Sequence, residues 1–154
     1  MTMRVKKGKR HGYSAKNVRH DEHHAYLRFV VPDIDGDSLA ELGVFHAVRN
    51  LRYRGMLDTH EEEEHDRIRN WLEQNLKVPD RFTTSKPPYH RRKSKAISWF
   101  KSSAHEHVSN IRASVAILKA HGVPVRMIRT RRVGYVAYED EYQTVAEPFA
   151  GERY

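Results

Sequence analysis

The chain reads as an α+β domain, an antiparallel sheet with three helices in the order β-α-α-basic loop-β-α-β-β-β. Three observations predict this. Short runs of aromatic and β-branched residues alternate with longer runs in which apolar residues recur every three or four positions. Capping signals and glycines bracket the longer runs. The last three strand candidates are joined by short connections, which predicts an antiparallel meander.

The elements follow in order. Residues 25–31, AYLRFVV, form a strand candidate that stops at Pro32. PDIDGD supplies turn residues, and Asp37 or Ser38 is placed to cap a helix running to about Arg54. Its apolar residues spread round the cylinder, which predicts burial on more than one side, and Gly55 suits its end. THEE at 59–62 reads as a capping box with Thr59 as the cap. Ile68, Trp71, Leu72 and Leu76 then give the second helix its apolar stripe, and the two helices are expected to form a hairpin on the first strand. Residues 83–95, with two prolines and no aliphatic side chain, form a loop. AISWF, 96–100, is a strand candidate. SAHE at 103–106 reads as a second capping box, opening a helix to about His121 with Gly122 at its end. Strand candidates at 123–130, 134–139 and 142–147 complete the chain. The organisation expected is a basic, flexible tail at 1–24 and one domain at 25–150, its halves 25–82 and 96–150 joined by the loop.

Composition narrows the class. The sequence holds 154 residues, 38% apolar and 31% charged, with no cysteine, so disulfides and thiolate zinc sites are excluded. No apolar run reaches the length of a membrane span. The basic N-terminal stretch has no apolar core after it, unlike a secretory signal, so a cytoplasmic location is the expectation.

The net charge of +8 is unevenly spread. Residues 1–24 hold seven basic side chains against two acids, residues 81–101 hold seven and no acid, and residues 126–132 hold four. Residues 25–80 reverse the sign, with seven basic and twelve acidic side chains. Basic clusters attract polyanions, whereas a single charged run is usually a solvated face. Three such runs together bring a ligand level with that plainer reading. The candidate contacts are Arg4, Lys6, Lys7, Lys9 and Arg10 in the tail, Tyr89, Arg91, Arg92, Lys93 and Lys95 in the loop, and Arg126, Arg129, Arg131 and Arg132 near the C-terminus. Basic side chains neutralise phosphates, and an aromatic face such as Tyr89 stacks on an unpaired base. Trp99 and Phe100 are better read as core anchors of their strand.

Catalytic and metal chemistry have weaker signals. His20 and His24 are four apart, a spacing that would bring two ligands to one helix face, but the segment lacks an apolar stripe and runs into a strand. His60 and His65 are too far round a helix to share a metal, and Glu61 is spaced to meet His65. His105 and His107, two apart, do not face one another. No serine sits in a strand-turn-helix elbow, and KKGKRHG lacks the strand and helix of a phosphate loop. No cofactor is expected. Along residues 123–149, alternation puts Val125, Met127 and Arg129 on one face and Arg126, Ile128 and Thr130 on the other. The same reading places Val136 with Tyr138, and puts Arg131 and Arg132 at the far end of the sheet from Glu139, Asp140 and Glu141.

The blocks YLRFVVPDIDGDS, VPDRF, ISWFKSSAHEHV and HGVPVRMIRTRRVGYVAYEDEYQTVAEPF resemble a group of small bacterial proteins with no assigned activity. The resemblance covers roughly residues 26–149 and implies one folded, soluble unit. It carries over no cofactor and no catalytic residue. Three functions therefore stand as expectations. The first is non-enzymatic binding of a polyanion, RNA or DNA foremost. The second is a protein–protein or self-associating module, in which Glu61 to Glu64 meet a basic loop and the partner is an acidic surface or another copy of the chain. The third is a hydrolase built on His and Glu.

Overall fold

The computed structural model describes residues 25–32, 42–84 and 96–152. Within them the order is β1 (Tyr26–Val31), β2 (Leu42–Gly43), α1 (Val44–Tyr53), α2 (Thr59–Asn75), β3 (Ile97–Lys101), α3 (His105–Ala120), β4 (Arg126–Thr130), β5 (Tyr135–Glu139) and β6 (Gln143–Glu147). The α+β class is as expected: three helices and a sheet whose pairings are all antiparallel.

Helix boundaries follow local chemistry, and two predicted caps shift. The α1 helix opens at Val44, because Leu42 and Gly43 pair with Val31 and Val30 in extended conformation. The predicted caps Asp37 and Ser38 lie outside the described residues. Val44, Ala47, Val48 and Leu51 are buried, the i, i+3, i+4, i+7 spacing of a single apolar face. At its end Gly55 donates to the Arg52 carbonyl and Met56 to the Leu51 carbonyl, a Schellman closure. The α2 cap is Asp58, one residue before Thr59: its carboxylate accepts from the Glu61 amide at 2.8 Å, and the Glu61 side chain accepts from the Asp58 amide at 3.1 Å. An aspartate also carries charge to the positive end of the helix dipole, which a threonine cannot. The predicted SAHE box does not form, since Ala104 occupies the cap of α3 and no side chain bonds there.

The predicted helix hairpin is also revised. Helices α1 and α2 each pack mainly on α3, which leaves a groove between them. The large core lies where the helices meet the sheet and is built on Leu27, Phe29, Val48, Ile68, Ile111 and Leu118.

The sheet departs from the predicted meander. Strands β5 and β6 form the expected hairpin, but β4 pairs with β1 along its whole length, from Arg126 opposite Val30 to Thr130 opposite Tyr26. The other edge of β1 is shared, with β3 at Tyr26 and Leu27 and β2 at Val30 and Val31. Strand β6 lies beyond β3, so β4 and β5 occupy opposite edges of the sheet. Only residues 131–134 join them. The steps from Thr130 to Tyr135 reach at most about 18 Å. Four interstrand spacings alone take about 19 Å, and the two strands also run parallel. Such a connection closes only over a strongly twisted, coiled sheet.

Residues 131–134 cross the face away from the helices as a strap. Val133 is buried there against Tyr26, Trp99 and Ala146, with Ile97 and Ile128 packed alongside. Gly134 follows with φ at +114°, and a Cβ on it would sit 2.0 Å from the Glu147 carbonyl oxygen. Only glycine fits so close an approach in that conformation. Trp99, 1% exposed, is the core anchor its strand predicts, although it serves this second, smaller core.

A bulge interrupts the alternation in β5. Val136 pairs with Ala146 and Tyr138 with Val145, so Val136 and Tyr138 lie on opposite faces, not together. After α2 the chain tracks β6. The Gln143 side-chain amide donates to the Lys77 carbonyl at 2.6 Å, and Glu147 Oε1 accepts from the Thr84 amide at 2.8 Å and from both threonine hydroxyls of 83 and 84.

Candidate functional site

Of the residues the sequence singled out, Arg4, Lys6, Lys7, Lys9, Arg10, His20, His24, Tyr89, Arg91, Arg92, Lys93 and Lys95 lie outside the described residues. Arg126, Arg129, Arg131 and Arg132 are described, and the fold disperses them. Arg126 pairs with Val30 and belongs to the helix-free face, while Arg129, opposite Leu27, belongs to the helix face. On that side Arg112 of α3 lies over the Phe29 ring, 5.5 Å from its centre, and meets the Met127 sulfur. Arg131 and Arg132 open the strap. Arg132 has crossed to the far end of β6, where its guanidinium lies 4.9 Å from the centre of the Phe149 ring. Tyr135 meets the same ring edge-on at 4.9 Å.

The roots of the basic loop add to that end. Thr84 is tied to Glu147, and Ala96 precedes Ile97, which pairs with Ala146. Thr84 and Ala96, which flank residues 85–95, therefore both lie beside the last residues of β6, towards Phe149 and Arg132. Arg126 begins β4 at the same end of the sheet, because β4 and β3 both run opposite to β1.

The acidic turn is structural. Asp140 accepts from the Tyr138 hydroxyl at 2.8 Å, from the amides of Tyr142 and Gln143 and from the Gln143 side chain. Burial alone would raise its pKa, but these hydrogen bonds outweigh it and hold the carboxyl below the usual range. Glu139 pairs with Lys101 at 2.6 Å. Arg132, beside Phe149 beyond the last residue of β6, is separated from these acids, which precede the first residue of that strand, end to end as the sequence predicts.

The histidines resolve similarly. His107 is buried, stacked on Tyr142 at 4.2 Å and edge-on to Trp71, with Nε2 2.8 Å from the Asn75 carbonyl that ends α2. Glu61 does not pair with His65: both its oxygens meet His121 Nε2, at 2.8 and 2.9 Å, strapping the start of α2 to the end of α3. Glu64 is held by Arg67 at 2.7 Å. Two of the four carboxylates proposed to attract a partner are thus already engaged. Among the described residues no three His, Asp or Glu side chains converge as metal ligands, and no helix is long and apolar enough to cross a membrane.

The groove between α1 and α2 has no counterpart in the sequence-based expectations. It encloses about 650 Å³ and is lined by Phe45, His46, Arg49, Arg52 and Tyr53 from α1 and by His65, Asp66, Arg69 and Asn70 from α2. Arg52 spans it to Asp66 with contacts of 2.6 and 3.4 Å, and this guanidinium holds the Asp66 carboxyl below its ordinary value. His65 is 4% exposed, and its Nδ1 has no hydrogen-bond partner among the described residues. Burial first, then the guanidinium of Arg52, lowers its pKa, with Arg69 and Arg49 adding to the effect and Asp66 opposing it. The groove hides in the most acidic stretch of the chain, where summed charge points the wrong way. The signal that could have found it was positional: 46, 49 and 53 recur at helical spacing, as do 65, 66, 69 and 70.

No protein-family model, curated protein or solved structure matches this chain.

Proposed function

We propose that the chain is a non-enzymatic polyanion-binding protein whose ligand is RNA or DNA, held through its phosphates. The observation that supports this reading most is the convergence at one end of the sheet. Arg126 at the head of β4, Arg132 on Phe149, and Thr84 and Ala96 on either side of residues 85–95 all lie at that end. The loop itself carries Lys86, Arg91, Arg92, Lys93 and Lys95. The helix-free face of the sheet leads away from that end towards Arg131, and the tail joins β1 at the opposite end. A strand of nucleic acid laid across this face would meet basic groups along its course.

Contacts of this kind read charge, not sequence, so affinity falls steeply with salt. The test is the anisotropy of a labelled single-stranded RNA over a salt series, with a duplex DNA in parallel. Tight binding at low salt that weakens log-linearly supports the reading, and no binding of either probe at the lowest salt would remove it. The self-association reading is tested over the same salt series by light scattering, where a monomer at every salt concentration would argue against it.

A further inference from the structure

We infer that the groove between α1 and α2 is a binding site for a phosphomonoester that carries a planar ring, a nucleotide unit seated with its phosphate on Arg49, Arg52 and Arg69 and its ring on Tyr53. Three guanidiniums line the groove with one carboxylate, and the only further acid paired to them among the described residues is the exposed Glu73 beside Arg69, so the lining stays net positive towards a dianion. Arginine forks match phosphate oxygens geometrically. Asp66 engages two of the five N–H groups of Arg52 and so orients the rest without consuming them. The other two guanidiniums are lightly held. Arg49 Nη2 meets the imidazole Nδ1 of His46 at 3.1 Å, and Arg69 reaches Glu73 at 3.6 Å in a solvent-exposed pair.

A second, independent observation points to a ligand. His65 lines the groove, is 4% exposed, and carries a buried nitrogen that no described residue satisfies. Buried polar atoms are rarely left so, because each one costs stability. In the bound state a phosphate oxygen is the partner of that nitrogen. The ring assignment comes from Tyr53, which lines the groove yet is 81% exposed, an aromatic face with no packing duty. This site goes beyond the polyanion surface proposed above and does not depend on it, since it shares no residue with β4 or the strap.

The shared chemistry could come from a free nucleotide or from the 5′-phosphorylated end of an oligonucleotide. The full chain is titrated with inorganic phosphate, adenosine monophosphate and adenosine while backbone amide shifts are followed. Saturable shifts confined to residues 45–53 and 65–70 are expected with phosphate and with the monophosphate. The monophosphate should bind about tenfold tighter through ring stacking, and adenosine should not saturate. The double variant Arg49→Gln/Arg69→Gln should weaken the monophosphate about tenfold or more. Tyr53→Ala should reduce it to the level of phosphate alone. Thermal unfolding of each variant checks that the fold is intact. Oligonucleotides with 5′-phosphate or 5′-hydroxyl ends then separate the two sources. A variant with Arg126, Arg129, Arg131 and Arg132 all changed to Gln should leave these shifts untouched, so failure at the groove is distinct from failure at the sheet. Absence of saturable shifts at 45–53 and 65–70 up to millimolar phosphate and monophosphate, or equal affinity in the Arg49→Gln/Arg69→Gln variant, overturns the inference.

Discussion

The α1–α2 groove and the β4–strap segment treat their arginines in opposite ways. The groove draws Arg49, Arg52 and Arg69 into one opening from a stretch of sequence that is acidic overall. The segment 126–132 is the densest basic run among the described residues, yet its arginines are sent to two faces and two ends of the sheet. Charge density along a chain therefore says little about charge density in space. Helical spacing gathers residues three and four apart, whereas a strand alternates them and a crossing connection carries them away.

The largest effect expected from breaking this contrast is at Gly134. Gly134→Ala places a methyl group 2.0 Å from the Glu147 carbonyl oxygen, so the strap cannot lie as it does. We expect a loss of about 3 kcal/mol or more, from strain at positive φ and from exposure of Val133 and Trp99. Chemical denaturation measures it, and a loss below about 0.5 kcal/mol would mean the strap is not held.

Next comes the charge of the segment itself. Changing Arg126, Arg129, Arg131 and Arg132 to Gln should lower RNA affinity at low salt by at least about tenfold. The log–log salt slope should also flatten, by about 0.7 for each phosphate of a single strand that is no longer neutralised. Single variants of Arg126, Arg131 and Arg132 should give roughly additive fractions of that change, and Arg129→Gln, on the helix face, should give little.

A smaller effect is expected at the bridge between α2 and α3. His121→Ala leaves a half-buried Glu61 without its partner while the Asp58 cap remains, and about 1–2 kcal/mol should be lost. Thermal unfolding at fixed pH reads this out.

The groove also predicts a pH dependence. His65 has a folded-state pKa below its unfolded value of about 6.5, because burial and the surrounding guanidiniums disfavour its charged form. The unfolded chain therefore binds the proton more readily. The contribution is fully present above about pH 6.5 and is lost as pH falls from there through the folded pKa. His65→Gln should flatten that part of the stability curve, and a curve of unchanged slope would assign the acid sensitivity elsewhere. Smallest of all is the solvent-exposed Arg52–Asp66 pair: Asp66→Asn should leave the thermal unfolding midpoint nearly unchanged.

Much of the fold was legible in the sequence, for reasons that the same elements make plain. Each of β1, β3, α3 and the β5–β6 hairpin carries its own periodicity or turn chemistry, so local reading found it. The pairing of β4 with β1 was not legible: nothing in RMIRT says that its partner lies nearly a hundred residues earlier, and the short 131–134 connection argued for the nearer strand. The bulge at residue 137 was hidden likewise, because a single inserted residue leaves the alternation looking merely imperfect. Of the site, the sequence supplied the arginines but not their grouping. His65 and Tyr53 acquire meaning only when α1 and α2 both dock on α3 and leave a gap between them.

The central claim is that nucleic acid lies across the helix-free face from the Phe149 end. Amide shifts of the full chain titrated with a short single-stranded RNA at low salt test it most directly. Saturable, salt-sensitive shifts are expected at residues 126–135 and 147–150. Binding that leaves those residues unshifted, or no binding at all, contradicts it.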